Sequence, residues 1–554
     1  AGWLPGLSQQ KDGLEELISL ADGLATAGIA GVRTLQVLPS DAQSDGIGRE
    51  LIAISESHRG DIGLVASEAA EAIRASSELA DDDLIGPLGD ARDELLGYRR
   101  DLDDLYTMAS FALLAPTLLG ADGSTSYLVL GMNSGELMPG GGFIGNYAIF
   151  DVAQGEVQDI QGEDVYQLYD RWTRSPDFVR VDPPPALERY LLGEEWSWAL
   201  GEAAWYPDFP TTASAAQEFV RLGGVGTTDA TVGLTVPAME ELLRLTGPIE
   251  LPEFGITFRA EDVGLRLSFD ITHDEAGARL FAAFMREMSN RLMALERSSW
   301  RSAWEVVRGL VDREELFINF ADSDVQKRVA ELGWDGRLPP PSGEQRVLLT
   351  DASVRSTKLN FALQRRAWLV IDLSGDRPRH RLRVTYRNAY SEWAAGKDPA
   401  LAQQVLGPTN MLGNYIQLFA PAGSELLRLV EVFSGGATER DLPPEPEEEQ
   451  LGYSVFATFL PVRPDSERTV EFEYELPAGS SAQVDGHRYR LQLEKQPGVP
   501  AYPIDILIVP PDGRAVERIE VCAPTRDACA SQTDALVSTE LDADLTLVAQ
   551  FGER

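Results

Sequence analysis

Through residues 1–118 apolar positions recur every three or four residues. Leu14, Leu17, Ile18, Ala21 and Leu24 fall on one helix face. Asp61–Leu79, low in glycine and proline, predicts a second helix. Leu88–Leu114 predicts a longer third, apolar on one stripe and charged on the other. The expectation is a helical stalk or bundle over 1–118, either a spacer or a subdomain packed on the adjoining domain. Over 119–340 the period changes. Tyr127–Gly131, Phe143–Val152 and Val157–Gln161 read as a strand meander, and Thr211–Leu222 and Val236–Leu245 as helices, the second stopped by Gly247 and Pro248. Strands alternating with helices around one sheet predict an α/β sandwich. Phe143–Phe150 lacks the alternation of a half-exposed strand, so it is expected centrally, with Phe219, Leu242 and Leu243 buried against the sheet.

From Pro341 the texture is short strands with proline and glycine turns, which predicts an antiparallel β-sandwich over 341–480. A further β-rich segment over 481–554 has room for a second sandwich. The chain is therefore read as multidomain α+β, with the β-rich part a separate unit making few contacts with the Gly140–Gly142 turn.

Length and composition narrow the class. The 554 residues exceed one core, and 44% hydrophobic with 25% charged residues marks a folded chain. A net charge of −40 argues against nucleic acid and anionic membrane surfaces as partners. Lysine is confined to Lys11, Lys327, Lys358, Lys397 and Lys495. Cys522 and Cys529, the only cysteines, close a short loop and read as one disulfide in an oxidising, extracytoplasmic setting, with two unrelated thiols the alternative. No run of 18 apolar residues occurs. The four histidines lie in different segments, which gives little support to a zinc site or a Ser-His-Asp triad.

Chemistry concentrates at residues 127–150, YLVLGMNSGELMPGGGFIGNYAIF. Between two apolar strands lie Asn133, Ser134, Glu136 and then Gly140, Gly141 and Gly142. Three successive glycines are tolerated where the chain needs φ > 0 or a close approach. Such a loop either presents amides to an anion or is a tight hairpin without a ligand. The candidate pocket comprises Asn133, Glu136, the three glycines and Asn146, with Asp164, Arg171, Trp205 and Asp208 from later segments. In one reading Glu136 or Asp208 holds Mg or Ca, while loop amides and Arg171 neutralise phosphate. In the other, Asp208 caps the helix that starts near Thr211 and Trp205 is core, although an aromatic stacked on a sugar would look the same.

The GELMPGGGFIG segment resembles the signature of the bacterial domain-of-unknown-function family numbered 4012. WYPDFPTTA (Trp205–Ala213) and LLRLTGPIELPEFGITF (Leu242–Phe258) continue the resemblance, as do LGWDGRL, NYIQLFAPAGSELL and LEKQPG, out to Gly498. Members of that family usually carry a transmembrane helix before this region, which implies an export signal or membrane segment preceding Ala1. A more distant resemblance, in the layout of LGMNS, GGFIGNYAIF and DATVGLTVPAMEELLRLTGPIEL, is to LytR-CpsA-Psr proteins. These transfer glycopolymers from polyprenyl-pyrophosphate carriers, using arginines on the pyrophosphate and acids on magnesium. The resemblance implies an extracytoplasmic cell-surface location, and partners among cell-wall glycopolymers or other envelope proteins. Asn133 replaces the first aspartate of those enzymes, and Met138 stands where the 4012 family usually has arginine. A lost guanidinium removes bidentate phosphate pairing. The expectation is a degenerate, non-catalytic relative in envelope structure or glycan binding, the alternative being an active magnesium-dependent phosphotransferase.

Overall fold

The computed structural model describes residues 11, 14–23, 25–26, 46–80, 87–271, 275–340, 345–433, 438–445, 450–477, 487–526 and 529–553. The expected contacts of Leu24 lie outside these residues.

The N-terminal helices are Ile47–Ser57, Arg59–Ala80, Pro87–Leu96 and Arg99–Leu118, after a helical stretch over 14–23. In that first stretch Leu17 and Leu20 are buried against Ala69, Ala72 and Leu102, while Leu14 and Ile18 face solvent. The buried face is thus rotated from the expected one. Leu88–Leu114 is not continuous either; the chain breaks at Gly97–Tyr98 into two helices. The bundle is packed on the next domain: Arg297 grips Glu50, Arg308 reaches Asp104 at 3.0 Å, and Phe111 lies 5.3 Å from Trp334.

The second part is a mixed sheet with helices on both faces. β1 (Ser124–Asn133) is central and is flanked by β2 (Phe143–Ala153), antiparallel, and β5 (Ala230–Thr235), parallel. β3 (Glu156–Val157) and β4 (Gln161–Asp164) pair with the far side of β2, and β8 (Leu316–Phe320) closes the other edge. β6 (Ile249–Leu251) and β7 (Ile256–Phe258) form a two-stranded ribbon of their own. The GGFIG strand is therefore internal but one place from the centre. Tyr127 through Leu130 are all buried, as a strand covered on two faces requires. On one face, helices Val165–Thr173 and Phe209–Leu222 bring Trp172, Phe209 and Phe219 onto Leu128 and Leu130. On the other, Val236–Thr246 and Glu275–Met293 bring Leu242, Leu243 and Phe281 onto Val129 and Leu234.

The remainder forms two seven-stranded sheets around one core. The first contains β9 (Gln345–Ser353), β12 (Leu412–Ala420), β15 (Ser454–Val462), β17 (Arg488–Glu494), β19 (Arg514–Cys522), β20 (Ala530–Gln532) and β22 (Leu545–Glu553). The second contains β10 (Leu363–Asp372), β11 (Arg379–Asn388), β13 (Glu425–Val432), β14 (Glu439–Asp441), β16 (Glu467–Glu475), β18 (Tyr502–Val509) and β21 (Leu536–Leu541). The expected break at 480/481 is corrected here, because strands after 481 interleave with earlier ones in both sheets. Nor are the sheets purely antiparallel: β9 pairs β17, and β10 pairs β18, in parallel.

Cys522 and Cys529 are bonded across the β19–β20 hairpin, where Val521 pairs with Ala530. Native protein should therefore yield no thiol to a thiol-reactive probe until reduced. Stoichiometric labelling without reductant would contradict the bond. Model-dependent loop entropy gives the crosslink about 2–3 kcal/mol.

Candidate functional site

Asn133 ends β1 and folds the chain over, its side-chain oxygen accepting from Gly135 N at 3.0 Å at the start of a short 3₁₀ turn, Ser134–Glu136. The glycine turn beyond it is buried between the α/β layer and the sandwich. Gly140 N donates to Ala204 O and Gly141 N to Met138 O, each at 2.9 Å. Gly141 and Gly142 have φ of +124° and +150°, and a Cβ on Gly142 would lie 2.5 Å from the Asn133 backbone. The three glycines are thus explained by left-handed backbone and close approach, and two of their amides are already consumed. The anion-cradle reading of Gly140, Gly141 and Gly142 is corrected accordingly.

The sandwich supplies the rest of this seam. Ser353 N donates to Leu137 O at 2.7 Å, Gln496 Nε2 to Met138 O at 3.1 Å, and Asn360 Nδ2 to Ser134 O at 2.6 Å. The β-rich part is therefore not a separate unit with few contacts to the turn. Met138 itself is 1% exposed, packed in the core with Met132 and Trp205.

Beside the seam lies a cavity of about 110 Å³ at the end of the sheet. Register explains it. Leu234, Gly131, Asn146 and Asp164 are successive cross-strand partners on β5, β1, β2 and β4, so they form one row on one face. Gly131 contributes no side chain to that row, and the gap is roofed by Phe281. Asn133, Glu136, Tyr166, Thr235, Ser268 and Lys358 complete the polar lining. Four sequence-expected residues, Asn133, Glu136, Asn146 and Asp164, are thus brought together.

Each is held differently. Asp164 Oδ1 caps the helix it precedes by accepting from Tyr166 N at 2.8 Å. Asn133 Nδ2 donates to Ser268 Oγ at 3.1 Å. Glu136 is ion-paired with Lys358, both side chains 17% exposed, and the Lys358 ammonium lies 5.3 Å from the Phe269 ring centroid. The Asn146 oxygen is buried without any partner among the described residues. Burial and the charges of Glu136, Glu202 and Asp164 raise the Tyr166 phenol well above its usual range. Burial, with Glu136 adding, pushes the Glu202 carboxyl up to about 8.

The other expected residues lie elsewhere. Asp208 caps the helix Phe209–Leu222, accepting from Thr211 N at 3.0 Å, and its second oxygen accepts from Leu338 N at 3.1 Å. It does not line the Glu136 cavity, so the expected pocket that places Asp208 beside Glu136, with one or the other holding Mg or Ca, is corrected: the two acids do not share a cavity. Among the described residues no three His, Cys, Asp or Glu side chains are grouped to hold a metal ion. Trp205 is core, stacked 5.9 Å from Tyr415 of β12. Arg171 forks onto Glu163 at 2.6 and 2.9 Å in a different, open cleft. Despite burial, that fork and the Tyr147 hydroxyl hold the Glu163 carboxyl below its usual range.

Lys358 is absent from the sequence-derived pocket. It sits in no motif, and only the fold brings it to Glu136; its rarity as one of five lysines is the one trace in the sequence.

A buried acid cluster also marks the seam. Lys495 Nζ donates to Glu315 Oε1 and to Arg313 O, each at 2.9 Å. Around it, burial with Glu494 and Glu315 pushes Glu314 up to about 8 against the pull of Lys495, and burial with Glu314 and Glu494 raises Asp544 well above its usual range. These folded-state carboxyls keep their protons where the unfolded chain has lost them. Between about 4.5 and 8 the native state binds more protons, so stability falls as pH rises through that window. The melting temperature should be higher at pH 5 than at pH 8, and Glu314→Gln should lose part of that fall. A variant whose pH profile parallels wild type would contradict the assignment.

Residues 122–264, about a quarter of the chain, match the family described as "Protein of unknown function (DUF4012)". The match contains the glycine turn, WYPDFPTTA and LLRLTGPIELPEFGITF; the resemblances beyond residue 264 lie outside it. No curated protein matches the chain. Solved structures with similarity include a mutant two-domain M1 zinc metallopeptidase bound to L-tryptophan, at 8% identity and TM-score 0.16 over 34% of this chain and 43% of that one. Another is Legionella pneumophila aminopeptidase A in complex with aspartic acid, at 13% identity and TM-score 0.15 over 34% and 21%. The chain spans less than half the length of either, and similarity this low bears on neither fold nor function.

Proposed function

We propose that this is an extracytoplasmic cell-envelope protein whose LytR-CpsA-Psr-like domain works by binding rather than by phosphotransfer. The charge of the cavity carries the reading. Among the described residues no arginine lines it, its one cation is already committed to Glu136, and two of the glycine-turn amides are spent within the protein. Pyrophosphate chemistry needs several donors free to meet a dense anion, and this site offers acceptors instead. The disulfide favours an oxidising compartment. The partner class is a cell-wall or surface glycopolymer or another envelope protein.

Incubation with a polyprenyl-pyrophosphate-linked saccharide, acceptor glycan and magnesium tests this reading. It predicts no transfer and no magnesium-dependent binding heat. Turnover that is lost in Glu136→Gln would replace it with the phosphotransferase.

A further inference from the structure

Cavity chemistry narrows the ligand. Asn146 lines the cavity and is 9% exposed, and its carboxamide oxygen is buried with no partner among the described residues. An unpaired buried acceptor is costly and asks for a donor from whatever enters. Glu136 and Asp164 add two carboxylates against the single Lys358 ammonium, which leaves the lining with one negative charge in excess. Behind these groups the walls are apolar, with Met239, Ile271 and Phe281 facing the row of strand residues.

We infer, resting on the binding reading above, that this cavity receives a primary ammonium on a short aliphatic stem. The ammonium donates to Asn146 Oδ1 and to the carboxylates of Glu136 and Asp164, and the stem lies against Met239 and Phe281. Lys358 occupies part of the same field and competes with the ligand for Glu136. An anion of equal size meets acceptors and net negative charge, and a neutral alcohol forgoes the Coulomb attraction. The same chemistry arrives either as a free alkylamine or as the tip of a lysine-type side chain on a peptide.

Calorimetric titration of the whole chain at constant ionic strength tests this with n-butylammonium, n-butanol, butyrate and inorganic phosphate. Charge-assisted hydrogen bonding favours the amine by about tenfold or more over the other three. Asn146→Leu and Glu136→Gln weaken amine binding, while Lys358→Met strengthens it by removing the competing cation. Opposite signs at Glu136 and Lys358, in variants whose melting curves remain cooperative, are not expected of a merely structural pair. Tighter binding of butyrate, phosphate or butanol overturns the ammonium assignment and leaves the binding reading standing. Silence from all four probes overturns the assignment too, whereas the binding reading itself falls to turnover in the transfer assay. Shifts of the same sign at Glu136 and Lys358 overturn the assignment as well. Nα-acetyl-lysine methylamide separates the sources: binding assigns the site to a side-chain tip, and exclusion with retained butylammonium binding assigns it to free amines.

Discussion

Met138→Arg should unfold more easily than wild type by several kcal/mol and should gain no affinity for pyrophosphate. By family resemblance this residue stands in place of an arginine, so restoring the guanidinium is the obvious repair. The structure opposes it. Met138 is fully buried beside Met132 and Trp205, and its carbonyl accepts from Gln496 Nε2. A guanidinium there loses its hydration inside an apolar core, at an effective cost of several kcal/mol per ion after relaxation. Chemical denaturation measures the loss directly. A Met138→Arg protein of wild-type stability that binds a polyprenyl-pyrophosphate analogue would show that the turn faces a ligand rather than the core.

A loss of similar size is expected at Asp351. Its carboxylate, in β9, accepts from Arg365 Nε at 2.7 Å, from the Tyr386 hydroxyl at 2.7 Å and from Asn414 Nδ2 at 3.1 Å. Arg365 in turn donates to Asn360 Oδ1 at 2.6 Å, and Asn360 reaches the Ser134 carbonyl in the signature turn. Asp351→Ala leaves the Arg365 charge buried and unpaired, a change that costs about 3–5 kcal/mol. Removing both partners should cost less than the two single losses added, since the double variant strands no charge. Strict additivity in denaturant unfolding would mean that the pair is not coupled. The network also ties the sandwich core to the turn, so the Asp351→Ala seam should open before the sheets melt.

Sequence and structure agree where the signal is local. The Asp208 cap, directly after Pro207 and shortly before Thr211, is legible because an aspartate just ahead of a helical period can satisfy amides there and nowhere else nearby. The buried faces of Phe219, Leu242 and Leu243, the core role of Trp205 and the Cys522–Cys529 bond are likewise readable from period, bulk and spacing. The N-terminal buried face is not, because Leu14 and Ile18 fit a helical period as well as Leu17 and Leu20 do, and only tertiary packing chooses between them. The break at Gly97 falls within a stripe whose apolar rhythm continues across it.

Pairing at long range is not legible. The parallel ladders β9–β17 and β10–β18 join residues more than a hundred positions apart, and period-2 alternation carries no partner information. The glycine turn resembles a ligand loop for the same reason. Positive φ and close approach are common to anion cradles and to buried seams, and Gln496 and Ser353, which distinguish the two, arrive from the sandwich. Part of the candidate site is legible because Asn146 and Asp164 sit on paired strands and Asn133 and Glu136 on the adjoining turn. Asp208, Trp205 and Arg171 belong to separate local tasks.

Hydrogen exchange across residues 137–142 tests the buried seam most directly. The amides of Gly140 and Gly141 are bonded to Ala204 and Met138 and shielded by the sandwich, so the account predicts exchange as slow as that of β1 and β12. Exchange at the rate of an exposed loop in the intact protein would contradict it.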